Sequence, residues 1–425
     1  MEVEEKINHL GTTEIQRKIR ELYGTREGMV ERQNDRMAKL LRRFKEVFPD
    51  RECTALVSAP GRTEIGGNHT DHNRGRVLAA AINLDTVAAI APREDHKVCL
   101  HSEGYAPIRV DLSDLDIRVE EKGKTSGLIR GVAAGMSKRG YRIGGFDAVV
   151  TSTVASGSGL SSSAAFEVMV CAIFDALYNG STVPFVEQAK ISQYAENAYF
   201  GKPCGLLDQM ASAAGGLVTV DFAGEEPAVK AMSYDFAAKG YALVVVATGG
   251  SHANLTDHYA AIPAEMKTVA ALQGGEVLRD VSEEETVKNA GMLRKRASDR
   301  AVMRALHFFR ENERVNRQVR ALENDDIQSF MKEITDSGYS SFMYLQNVYA
   351  PMGDQSLSLA LCLAEEMLKE DGAWRIHGGG FAGTTLNFVP QAKLNLFVSV
   401  MESTFGKDCC QVLDIRPEGA AVIKF

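Results

Sequence analysis

The nine residues 157–165, Gly-Ser-Gly-Leu-Ser-Ser-Ser-Ala-Ala, constrain the fold more than any other stretch of the chain. They join a strand-like segment at 147–154 to an apolar helical run that reaches about Leu177. A strand, a loop of small hydroxylated residues and an immediate helix start leave backbone N–H groups and the positive end of a helix dipole facing the loop. Such a turn can cradle a phosphate. A serine-rich cap on an ordinary helix carries the same local signature, so the loop alone leaves both readings open. It is not a Walker A loop, because no Lys follows Gly159. Gly-Lys-Thr does occur at 123–125, but Arg118 stands where the first Gly of that motif belongs. A phosphate held here is therefore to be neutralised by Mg²⁺, the helix N-terminus and an arginine.

A chain of 425 residues is long enough for two or three domains. Its net charge of −8 favours solubility and argues against a broad nucleic-acid surface, so phosphate must be bound by local groups. The seven cysteines are odd in number, show no metal-ligand spacing, and include the adjacent pair Cys409 and Cys410. Reduced thiols in a cytoplasm are the expectation. The N-terminal MEVEEKINHL is acidic and lacks the apolar core of a signal peptide. No run approaches the ~18 apolar residues of a membrane span.

Hydrophobic periodicity predicts helix over 12–48, broken near Gly24, with Met37, Leu40, Leu41, Phe44 and Phe48 on one face. A short strand at 56–58 precedes a loop dense in Gly, His and Asp. Strands follow at 81–90, 97–101 and 108–112, then a helix at 126–139. Beyond the phosphate loop, 184–200 reads as helix, and 217–222 and 241–247 as strands. The first domain is expected to close within 223–239. The remainder reads as mainly helical to about Lys369, then a glycine turn at 378–380, a strand at 385–389, a helix at 393–405 and two short strands. The class is α+β, with domains at 1–230, including the helical extension 1–48, and 231–425.

Three separated segments carry a family resemblance. Residues 59–73, Ala-Pro-Gly-Arg-Thr-Glu-Ile-Gly-Gly-Asn-His-Thr-Asp-His-Asn, resemble the galactokinase signature; 157–165 resembles the second motif of that family, and 378–383 the third. Between them, Ala195-Glu196-Asn197 precedes Cys204-Gly-Leu-Leu-Asp-Gln209 as in galactokinases, and 305–314 resembles a helix of the second domain. The resemblance covers roughly residues 40–425. It implies the GHMP kinase fold, two α+β domains with ATP and the phosphoryl acceptor in the cleft between them.

Carried over position by position, the resemblance makes Asp208 the carboxylate that takes or orients the acceptor proton. It makes Arg62 the guanidinium that keeps Asp208 ionised and steadies the transferring phosphoryl group. Gly157, Ser158, Gly159, Leu160, Ser161, Ser162 and Ser163 form the ATP loop. Ser162 and Glu196 hold Mg²⁺, an ion that favours few, hard oxygen ligands. Asn68, His69, Asp71, Gly205 and Tyr259 surround the sugar. A capping Asp at 208, a surface Arg at 62, a helix-face Glu at 196 and an Asx turn at 71 are the ordinary alternatives on local sequence alone. No nucleic-acid or membrane partner is implied.

The chain departs from the family at Asn68, where galactokinases carry the Glu of Gly-Glu-His that usually accepts from the 6-hydroxyl of the sugar. His72, Ala155, His377 and Ala382 also differ, mostly in shape. Asn68 removes a negative charge and adds N–H donors. Its carbonyl could still accept from a 6-hydroxyl, and a 6-carboxylate would no longer be repelled. Galactose, galacturonate and a non-catalytic sugar and ATP sensor therefore all remain readings of the residues.

Overall fold

Two long strands organise the chain: β1 (Ala55–Gly66) and β2 (Arg76–Pro92). All twelve residues of β1 are buried, as are most of β2. A strand covered on both faces reads as a continuous apolar run, which made β2 visible in sequence. β1 extends well beyond the predicted 56–58, because Pro60-Gly61 and the polar Arg62, Thr63 and Glu64 disguise its second half as loop. The structure, a computed structural model, describes residues 2–154, 159–249, 255–349, 354–381 and 383–425.

The remaining strands are β3 (Lys97–Ser102), β4 (Ile108–Asp111), β5 (Phe146–Ser152), β6 (Leu217–Asp221), β7 (Ala228–Met232), β8 (Tyr241–Ala247), β9 (Ala373–His377), β10 (Thr384–Pro390), β11 (Cys410–Leu413) and β12 (Ala421–Lys424). The chain forms two compact units, but a single cut near residue 230 does not describe them. The first comprises Met1–Arg62, Ala80–Gly216 and Ile415–Phe425; the second comprises Thr63–Ala79 and Leu217–Asp414. β1 and β2 are long enough to serve both units, and β12 returns the C-terminus to the first by pairing with Ala55–Ser58. Linear composition carries no sign of such interleaving.

In the first unit the sheet order is β12-β1-β2-β5-β3-β4. Helices Thr125–Lys138, Ser162–Phe174 and Phe185–Tyr194 belong to the same unit. The N-terminal extension folds as three helices, Val3–Leu10, Thr13–Tyr23 and Met29–Val47. Their apolar face, including Ile19, Leu22, Leu41 and Phe44, packs with Leu56, Val87 and Val149 of the sheet in one buried cluster. Burial at about 25 cal/mol per Å² makes this extension part of the core of the unit.

In the second unit β6 pairs with β2 and β7, and a separate sheet runs β11-β8-β10-β9. Helix Asp299–Glu323 supplies a long amphipathic face, capped by the Ser298 hydroxyl accepting from Ala301 N–H at 3.0 Å. β7 and β9, absent from the sequence reading, are short strands of five residues each. Among the described residues no helix is long and apolar enough to cross a membrane, and all seven cysteines are free thiols.

Candidate active site

In the first unit, β1 delivers Arg62 and the start of helix Leu207–Ala214 delivers Asp208. The guanidinium grips the carboxylate with two parallel bonds: Nε donates to Oδ1 at 2.7 Å and Nη2 donates to Oδ2 at 2.9 Å. Such forks are strong and orient both partners. Arg62 Nη1 donates to the Gly159 carbonyl at 2.5 Å, tying the pair to the small-residue loop. The Ser161 hydroxyl donates a short bond to Asp208 Oδ2. Desolvation favours the protonated acid, but the Arg62 charge and hydrogen bonds, with the Ser161 hydroxyl, outweigh it and hold the Asp208 pKa below the usual carboxylate value. Its side chain still keeps 35% of its surface exposed, so one edge of an ionised carboxylate is open.

The loop comes this close for a steric reason. A Cβ on Gly61 would stand 2.7 Å from the Leu160 carbonyl oxygen. Ser161 lies at φ 60, in the left-handed region that serine rarely occupies. It is the residue immediately before helix Ser162–Phe174. Strain of this kind persists only where surroundings over-determine it, and the bond to Asp208 is one such restraint. Of the predicted ATP loop, Gly159, Leu160, Ser161, Ser162 and Ser163 are placed here; Gly157 and Ser158 lie outside the described residues.

Glu196 sits where helix Phe185–Tyr194 loosens into a π-type turn, Ala195–Phe200. Turns of this type recur at functional sites. Its buried carboxylate accepts from Ser163 Oγ at 3.3 Å, Lys202 Nζ at 3.0 Å and Gln209 Nε2 at 2.8 Å. Ser163, and not Ser162, is thus the serine hydrogen-bonded to Glu196. Gln209 also donates to Glu167 at 3.1 Å. Glu167 is fully buried; burial first, then the nearby Glu196, pushes its pKa well above normal. Sequence reasoning missed Glu167 because an acid inside an apolar helix carries no motif. Gly205 lies in the loop before Asp208. Among the described residues no group of three or more His, Cys, Asp or Glu forms a metal cage.

The second unit holds the other predicted residues. Asn68 is 1% exposed, and every polar group it owns is engaged. Its Nδ2 donates to Glu64 Oε1 at 3.0 Å and to the Gly378 carbonyl at 2.7 Å. Its Oδ1 accepts from Asn347 Nδ2 at 2.9 Å and Ser341 Oγ at 3.4 Å. Its backbone N–H reaches Glu311 at 3.5 Å, and its carbonyl accepts from His307 Nε2 at 3.0 Å. Glu64 in turn is paired with Arg375 at 2.9 Å. Glu311, buried beside Arg314, His307 and Arg375, holds a pKa of about 2 despite its burial. It anchors the turn as an anion. Asn347, Ser341, Glu311 and Arg375 were invisible in sequence, since they meet Asn68 or Glu64 only through folding.

His69 Nε2 donates to the Gly379 carbonyl at 2.9 Å. Burial lowers its pKa to about 4, against the pull of that carbonyl, so the ring is neutral. Tyr259 Oη donates to the Gly380 carbonyl at 2.7 Å. Gly379 and Gly380 must be glycine: a Cβ would meet Tyr259 Cε1 at 2.7 Å at the first and collide with the Asn347 carbonyl oxygen at the second. Asp71 opens a short 3₁₀ turn, accepts from the His72 N–H at 2.9 Å and keeps 21% of its side chain exposed. It is the partly exposed carboxylate of this turn, in contrast to the sealed amide of Asn68.

Residues 42–92 match the galactokinase galactose-binding signature, and residues 127–216 match the N-terminal domain of GHMP kinases. A solved mevalonate kinase from Methanococcus jannaschii is similar in fold, with TM-score 0.62 at 13% identity over 85% of this chain and 98% of that one. A galactokinase from Lactococcus lactis, solved with galactose, is more similar: TM-score 0.76 at 25% identity over 90% of this chain and 98% of that one. The strand-loop-helix cradle and the Arg62–Asp208 fork thus sit in the GHMP kinase fold. The galactokinase of Streptomyces coelicolor is 32% identical over 387 residues, covering 89% of this chain and 96% of that protein. The chain belongs to the galactokinase family.

Proposed function

We propose that this enzyme transfers the γ-phosphoryl group of ATP to the 1-hydroxyl of galactose, with Asp208 and Arg62 as its catalytic pair. The observation that carries the reading is the ionised Asp208, clamped on one side by Arg62 and Ser161 and open on the other. An acceptor hydroxyl set against the open edge gives its proton to the carboxylate as its oxygen attacks phosphorus. Arg62 keeps the base ionised and offsets the negative charge gathering on the phosphoryl oxygens. The loop 159–163 and the start of helix Ser162–Phe174 bind the phosphates. In the second unit Asp71 accepts from sugar hydroxyls, with His69 and Tyr259 as further sugar-site residues; in the first, Gly205 lies in the loop before Asp208.

The residues also suit Mg²⁺. Ser162, Ser163 and Glu196 offer oxygen donors only, as a hard ion demands. Glu196 already takes a cation, the Lys202 ammonium at 3.0 Å. Held there, Mg²⁺ would neutralise phosphate charge. A coupled ADP-release assay over galactose, galacturonate and other hexoses tests the proposal. Turnover strongest on galactose is expected. Preference for galacturonate would overturn the sugar assignment, and binding of sugar and ATP without ADP release would make the protein a sensor.

A further inference from the structure

We infer that Asn68 positions the acceptor site without reading the sugar, and that its identity is dictated by Glu64. The inference rests on the galactose reading for its kinetic part alone. An amide at 68 joins three segments. It donates to Glu64 Oε1 on β1 at 3.0 Å, donates to the Gly378 carbonyl at 2.7 Å, and accepts from Asn347 at 2.9 Å. Both amide hydrogens and the carbonyl oxygen are therefore occupied by protein, at 1% exposure. A ligand hydroxyl would have to displace one of these bonds. Glu64 is itself buried, with Arg375 on the same oxygen that Asn68 binds.

The charge balance explains the residue. Glu64 and Arg375 already form a compensated buried pair at this end of the site. A carboxylate at 68 would face Glu64 Oε1 and the Gly378 carbonyl, two acceptors at hydrogen-bond distance, with no proton between them. Two carboxylates so placed cannot both stay ionised; one takes up a proton or the contact opens. Residue 68 must donate while residue 64 is an acid. The same bonds fix the Gly378–Gly380 turn, whose Gly379 and Gly380 carbonyls receive His69 and Tyr259. Asn68 thus reaches the sugar residues through that turn.

Asn68→Asp, Glu64→Gln and the double variant test this, since each change is isosteric. Asn68→Asp should raise the KM for galactose at least ~10-fold at neutral pH with a smaller change in kcat, because a buried donor has become an acceptor. The KM should fall again as the pH is lowered and the shared site gains a proton, a dependence the wild type lacks. In the double variant the amide now at position 64 can donate to the carboxylate now at position 68, so at least half of the loss in log KM should be recovered. Melting temperatures of all four proteins read the same coupling without relying on turnover, so failure of the galactose reading is told apart from failure of this one. Additive effects in the melts, or an Asn68→Asp enzyme with unchanged KM, would overturn the inference. So would coupled melts accompanied by a galactose KM that ignores both substitutions.

Discussion

Two aspartates of the first unit, Asp85 and Asp208, are bound by nearly the same chemistry and serve opposite ends. Asp85 accepts from Arg36 at 2.6 Å, Tyr23 at 2.6 Å, Arg416 at 3.2 Å and the Ser58 hydroxyl. Asp208 accepts from both ends of Arg62 and from the Ser161 hydroxyl. In each case burial resists ionisation and the guanidinium partners overcome it, so both pKa values lie below normal. The difference is access. Asp85 has no exposed side-chain surface, whereas Asp208 keeps 35%. Four donors from two N-terminal helices, β1 and the C-terminal segment close every approach to Asp85. That network adds a polar tie to the apolar packing of the N-terminal extension on the sheet. Three donors confined to one side leave Asp208 a free edge, and only a free edge can accept a proton from a substrate.

The sharpest way to break the comparison is to neutralise each carboxylate in turn. Asp208→Asn should lower kcat by on the order of 10³-fold, since the amide cannot accept the proton, while galactose binding changes little. Near-normal turnover in the purified variant would remove Asp208 from the chemistry. Asp85→Asn should do the reverse. It leaves the buried Arg416 and the half-buried Arg36 without their shared anion and should destabilise the protein by about 3 kcal/mol with kcat per folded molecule preserved. Denaturant titration reads the first quantity and turnover corrected for folded fraction the second. The pH sign follows from the depressed pKa of Asp85. Its stabilisation is complete above the unfolded carboxylate pKa of about 4 and is lost as the pH falls through the lower folded value. Asp85→Asn should therefore flatten the acid side of the stability profile.

The comparison also marks what could be read before folding. Asp208 and Arg62 were legible because each lies in a short ordered motif, and their pairing followed from the family they resemble. Asp85 was not, because its partners Tyr23, Arg36, Ser58 and Arg416 are scattered over almost the whole chain and share no spacing. Asn68 shows the middle case. Its chemical type was visible, an amide where the resembled signature carries a carboxylate. Its saturation was not visible, since that depends on Ser341, Asn347 and Gly378 arriving together. The helices of the extension were predicted from their apolar period, apart from the short Val3–Leu10. The second half of β1 was lost because Pro60, Gly61 and the polar Arg62, Thr63 and Glu64 break the apolar run although all are buried in the strand.

A smaller effect separates the phosphate loop from the carboxylate it touches. Ser162→Ala removes one oxygen donor at the start of helix Ser162–Phe174 while leaving the Arg62–Asp208 fork in place. The Mg²⁺ concentration for half-maximal activity should rise about 10-fold, a scale set by the loss of one oxygen among few ligands. Turnover at saturating Mg²⁺ should be largely restored. Metal titration of EDTA-treated protein gives both numbers. Unchanged Mg²⁺ dependence would shift the ligand role to Ser163, which already meets Glu196 at 3.3 Å.

The smallest expected effect is also the most specific to Asp208. Ser161 donates to its ionised form, so the hydroxyl is one of the causes of the lowered pKa. Removing it in Ser161→Ala must raise that pKa while Arg62 keeps it from rising far. A hydrogen bond to a charged group is worth about 1.5 kcal/mol, and one pH unit corresponds to about 1.4 kcal/mol. Solvent at the open edge of Asp208 can replace part of the lost bond, so the rise is smaller than the full bond would give. With the ionised carboxylate as the proposed active form, activity is lost as the pH falls through its pKa. The acid limb of kcat/KM should therefore move to higher pH, with the plateau little changed. Ser161→Gly should move the limb equally but raise stability, since glycine accepts φ 60 without strain. If the limb stays fixed in both variants, Asp208 is not the group that titrates. If it moves in glycine alone, backbone strain and not the hydroxyl sets the pKa.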